Sequence, residues 1–148
     1  MPTTTGPETI RTLSTVLAAL RKARMGFDNP YRAPEILVHG DATRVKRCKD
    51  VVNGLADLGA IARSVSGKVE DAYVSSCLYC IAFHDYCDGL AESKPIEPAR
   101  VQTVADLDIA IRAIEDAIYV RTPGRHVSAA QDAAEGASLA RMAPLGGE

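Results

Sequence analysis

Between Pro98 and Val120 the large apolar residues Val101, Val104, Leu107, Ile111, Ile114 and Ile118 recur in steps of three and four. Only a period near 3.6 puts such positions on one side of the backbone, so this stretch predicts an amphipathic helix that must hide that side from water. Asp106, Arg112, Glu115 and Asp116 fall on the other side. Pro98 opens the segment, and Thr122, Pro123 and Gly124 close it. Ile109 stands off the main stripe, which predicts a helix apolar on two sides.

The same reading places a first helix over 7–25. Ile10, Leu13, Leu17 and Leu20 form one face, Glu8 lies at the positive end, Arg21, Lys22 and Arg24 lie in the last turn, and Gly26 is a stop. Residues 26–40 hold two prolines and two glycines and are expected as a long crossover, with Ile36, Leu37 and Val38 packed against helices. A second helix is expected over 41–65, capped by Asp41, with Val45, Cys48, Val52, Leu55, Ala62 and Val65 as its stripe. Ser64, Ser66 and Gly67 suggest a turn, and a single helix running on through Gly67 is the alternative. A third helix is expected over 68–92, with Val69, Tyr73, Cys77, Cys80, His84 and Cys87 as its seam.

The fold class that follows is all-α, an antiparallel bundle of about four helices with a long crossover after the first and a loose C-terminal tail. Composition agrees, since there is no Trp and only two Phe, leaving Ala, Val, Leu and Ile to fill the interior. Residues 1–124 are read as the bundle domain. Residues 125–148 are read as a weakly structured tail or a short helix over 128–142, opened by Ser128 and Gln131 and with little to dock with.

The net charge of −2 names no partner. The first 74 residues carry 11 Lys and Arg against 8 Asp and Glu, and the last 74 carry 6 against 11, so the halves attract within a bundle or between copies. The basic run Arg44, Lys46, Arg47 and Lys49 spreads round a helix, and no aromatic ring interleaves it, so nucleic acid is not expected as a partner. No stretch reaches the ~20 apolar residues of a membrane span, and no secretory signal opens the chain. A soluble intracellular protein is expected, in the cytoplasm by default. Arg11, Arg21 and Arg24 beside a Thr-rich start keep an organelle address open.

One cluster carries chemistry by its letters. Cys77, Cys80, His84 and Cys87 are a donor set for zinc. Ten helical steps from 77 to 87 cover about 15 Å, however, whereas zinc ligands converge within about 2.3 Å of one point. A single helix therefore presents a neighbouring pair at most, and Cys48 is the remaining cysteine that another helix could offer. Buried thiols packing as small hydrophobes explain the same residues without a metal or any cofactor. Arg121 and His126 have the Arg-x4-His spacing found in helical-bundle nucleases of the HEPN type, but Pro123 and Gly124 break the helix that would hold both. No other catalytic arrangement is present, and an enzyme is not expected.

The function expected is a small helical subunit or adaptor that meets copies of itself or another protein, through Phe27, Tyr31 and Ile36 of the crossover and Ile109 and Tyr119 of the last helix. A metal- or thiol-responsive sensor built on Cys77, Cys80, His84 and Cys87 is the alternative.

Overall fold

The computed structural model describes residues 6–29, 35–87 and 96–122, with side chains described throughout these except at 35–37 and 86–87. Four helices account for 92% of the described residues, and no strand occurs among them. They are α1 (Gly6–Phe27), α2 (Glu35–Asp57), α3 (Arg63–Cys87) and α4 (Ile96–Arg121). Each packs on its two neighbours in a ring, α1 on α2, α2 on α3, α3 on α4 and α4 on α1.

Neighbouring helices run antiparallel. Arg21 and Arg24 near the end of α1 meet Glu115 and Asp108 of α4, while Phe27 meets Arg100 near the start of α4. Asn53 of α2 meets Ser66 of α3, and Val38 at the opposite end meets Cys80. Thr103 of α4 bonds Ser75 of α3, and Arg121 reaches back to Ala60. The basic first half and acidic second half of the sequence thus attract inside one bundle, at Arg21–Glu115 and Arg24–Asp108.

The core is a column of small and medium side chains. Leu13, Val16 and Leu20 of α1, Val45 and Val52 of α2, Val69 and Ala72 of α3, and Leu107, Ala110 and Ile114 of α4 are all buried. Three rings gather at one end, with Phe27 edge-on to Tyr79 at 5.6 Å and Tyr79 edge-on to Phe83 at 5.9 Å.

Three sequence readings need correction. The second helix starts at Glu35, so residues 35–40 belong to α2 and the connection after α1 is shorter than the crossover expected over 26–40. Asp41 is therefore not a cap; it lies buried inside α2 and pairs with Arg44 at 2.8 Å. The turn between α2 and α3 lies before residue 63, not at 64–67. Gly59 adopts φ +75°, Gly59 N donates to Ala56 O at 3.0 Å, and Ala60 N donates to Leu55 O at 2.9 Å. This is a Schellman end, in which a left-handed residue lets the chain bond back onto its last carbonyls. Gly67 sits within α3 and has open space around it.

Two arginines of α4 bind backbone carbonyls of neighbouring elements. Arg100 donates from Nη1 to Phe27 O at 3.1 Å, the last carbonyl of α1, and its Nε bonds Glu97 at 3.0 Å. Arg121 donates to Ala60 O from Nε at 3.1 Å and from Nη2 at 2.7 Å, and to Ala117 O from Nη1 at 2.9 Å. A cation is favoured at each place because helix C-termini gather unsatisfied carbonyls and partial negative charge.

Candidate interaction surface

α3 turns only part of its Cys/His seam to the core: Val69 and Cys80 are buried, Tyr73 and Cys77 half-buried. Its buried residues include Val69, Ala72, Ser76, Tyr79, Cys80 and Phe83, a face centred to one side of the seam and sharing Val69 and Cys80 with it. Cys77 is half-buried, and His84 is exposed. Cys77 lies toward α2. Cys80 alone of the described seam thiols is buried, and its Sγ lies 3.8 Å from Val38 O. The side chain of Cys87 lies outside the described residues. Among the described residues no three His, Cys, Asp or Glu side chains come together to hold a metal.

Cys48, the thiol that another helix could have offered, lies in the core on α2 with its Sγ 3.8 Å from Val16 O. Burial pushes its pKa up to about 11, with Arg44 a smaller opposing influence. It is therefore a packed thiol and a poor nucleophile at neutral pH. Cys77 lines a cleft of about 360 Å³ between α2 and α3, with His39, Lys46 and Tyr73 among its neighbours. The neighbouring Cys77 thiol holds the Tyr73 phenol above its ordinary pKa, and Lys49 Nζ sits 5.3 Å from the centre of the Tyr73 ring.

Three of the four cations of the basic run at 44–49 are paired locally. Arg44 pairs with Asp41, while Lys46 and Lys49 pair with Asp50 at 2.9 and 3.2 Å and hold its carboxyl below the usual range. Arg121 is committed to Ala60 and Ala117, so its guanidinium serves the α2–α3 turn; His126 lies outside the described residues.

Of the residues expected to meet a partner, Phe27 is buried against Tyr79 and packs the core instead of facing outward. Tyr31 and the side chain of Ile36 lie outside the described residues. Tyr119 is half-buried. Ile109 is 52% exposed and borders an open groove of about 700 Å³ between α3 and α4, with Val65, Lys68, Arg112 and Val120 also in its walls.

Among the described residues an apolar line also runs along the outside of α3. Val74, Leu78 and Ile81 of α3 are 47%, 58% and 55% exposed. Their spacing of four and three aligns them along one face. The spacing is visible in the sequence, where it competes with the parallel series Tyr73, Cys77, Cys80 and His84. Only the positions of α2 and α4 decide which of the two faces outward.

The fold and this surface define an up-and-down four-helix bundle with an apolar stripe along one outer helix. No known protein family, no curated protein and no solved structure matches the chain.

Proposed function

We propose that the chain is a non-catalytic subunit or adaptor that works through protein–protein contact, within an assembly of its own copies or with another protein. The exposed α3 stripe of Val74, Leu78 and Ile81 carries this reading. Large apolar side chains aligned at four- and three-residue spacing are what a helical partner engages.

Full burial of a side chain of this size is worth about 1.5–3 kcal/mol, so half-exposed ones retain about 1 kcal/mol each for a partner to gain. The total of about 3 kcal/mol is below the roughly 4–15 kcal/mol that association costs in lost freedom. A stable contact therefore needs the partner's own apolar residues and further polar contacts at the edges.

The test is light scattering after size exclusion, together with capture from native extract read by mass spectrometry, each run on wild type and Leu78→Asp. The substitution lies on an exposed helix face, so the far-ultraviolet circular dichroism is expected to stay unchanged while a wild-type assembly or captured protein is lost. A wild type that remains a 15.7 kDa monomer at every concentration and captures the same set as Leu78→Asp would overturn the reading.

A further inference from the structure

We propose that the α3 stripe takes a basic amphipathic helix from a different protein, not a second copy of the same face. The inference rests on the protein-contact reading above and names the partner's chemistry. Along the outer line of α3 the sequence runs Glu70, Val74, Leu78, Ile81, Asp85, in steps of four, four, three and four. Asp71 lies seven residues before Leu78, and Asp85 seven after it, so carboxylates close both ends of the apolar run. Glu70 and Asp71 are exposed, and Asp85 is half-buried and already engaged within the chain. On the α4 side stands Asp106, which accepts hydrogen bonds from Ser75 and Gln102.

A helix with large apolar residues at the same spacing would cover Val74, Leu78 and Ile81. Lys or Arg one turn before the apolar run would face Glu70 and Asp71, and Asp85 adds negative charge at the far end. Antiparallel pairing of two α3 helices about a two-fold axis does the opposite. Setting Val74 of one copy against Ile81 of the other brings Glu70 against Asp85 at both ends, and like charges placed so are unfavourable. The same charges thus select for a basic partner and against self-pairing of this face.

The probes are two synthetic helical peptides with identical leucines at four- and three-residue spacing, one flanked by lysines and one by glutamates. Amide chemical shifts of the full chain report where each binds. The lysine peptide is expected to shift residues around Val74, Leu78 and Ile81, and to bind at least tenfold more tightly than the glutamate peptide. Glu70→Lys with Asp71→Lys is expected to weaken the lysine peptide about tenfold, each exposed pair being worth a few-fold. Asp116→Lys, an acid on α4 bordering the other groove, is the control and is expected to change binding little. Equal binding of the two peptides, equal loss in the control, or shifts confined to the α3–α4 groove would overturn the proposal. If neither peptide binds while Leu78→Asp still dissolves a native assembly, the partner chemistry is wrong and the protein-contact reading stands. If Leu78→Asp changes no assembly or capture and neither peptide binds, both fall.

Discussion

Arg121→Met removes the guanidinium that holds the α2–α3 turn while keeping an apolar stem of similar length. Two of its donors converge on Ala60 O, at 3.1 and 2.7 Å, and the third reaches Ala117 O at 2.9 Å. A hydrogen bond from a charged donor is worth about 1.5–3 kcal/mol, but Arg121 is half-exposed, and water replaces part of what is lost. The two donors on one carbonyl also count as a single satisfied acceptor. The expected loss is therefore about 1–2 kcal/mol, including the few tenths due to a cation near the C-terminus of α2. At about 3–4 °C per kcal/mol for a chain of this size, the melting temperature should fall by about 3–8 °C. Arg121→Lys keeps the charge and one donor and should recover about half. Thermal melts followed at 222 nm measure both variants, and amide exchange should quicken at residues 58–63 before it does in the middle of α2. A methionine variant that melts within about 1 °C of wild type, with exchange at the turn unchanged, would refute the clamp. It would return Arg121 to the pool of residues open to a chemical role.

The glycines separate by the same logic. Gly59→Ala forces a side chain into φ +75° and should cost about 1 kcal/mol in urea melts, whereas Gly67→Ala, helical and with open space around it, should gain about 0.5–1 kcal/mol. The reverse order would put the turn back at 64–67. Cys48 gives a pH signature. Its folded pKa of about 11 lies above the ordinary thiol value of about 8.5, so below that value both states keep the proton and stability is complete. Between the two values the folded state alone keeps the proton, and stability declines as pH rises, by up to about 1.4 kcal/mol per unit. Cys48→Ala should be less stable than wild type at neutral pH but show a flatter decline between pH 9 and 11, so that the two curves converge, in parallel urea titrations. Identical slopes would show that the thiol does not titrate as its burial implies.

The parts of this fold legible in the sequence are those where one apolar face is clearly richer than the rest. α1 and α4 are placed to within two residues at each end, because Leu13, Leu20, Leu107 and Ile114 repeat without a rival series. Even there the buried face is broader than the stripe of large residues. Ala23, Ala110 and Ala117 are buried beside the leucines and isoleucines, while Val101 is exposed. Size and hydrophobicity do not by themselves report which small residue a neighbour presses on. The start of α2 is masked in the sequence because Gly40 and two upstream prolines resemble a loop, although a helical glycine costs only about 1 kcal/mol, which packing of Val38 and Ala42 offsets. α3 was harder to orient because apolar residues surround it. Val69, Ala72, Tyr79 and Phe83 make one face, Val74, Leu78 and Ile81 another, and Tyr73, Cys77 and Cys80 a third between them. A 3.6-residue period recognises such a helix without saying which way it is turned.

That ambiguity is itself informative about where an interaction surface lies. A helix needing only one neighbour-facing side keeps the rest polar, as α1 and α2 do, with one large exposed hydrophobic each, Met25 and Val51, among the described residues. α3 and α4 carry three each, Val74, Leu78 and Ile81 on the one and Val101, Ile109 and Val120 on the other. Scattered apolar residues on a surface need no explanation, and those of α4 are spread over five turns. Those of α3 fall within two turns and on one line, with carboxylates one turn beyond at both ends. Core packing cannot account for them, since the core-facing side of α3 is already filled by Val69, Ala72, Ser76, Tyr79 and Phe83. Substituting Leu78 should therefore leave folding nearly untouched while changing what the bundle binds, whereas substituting Tyr79, its buried neighbour in sequence, should do the reverse.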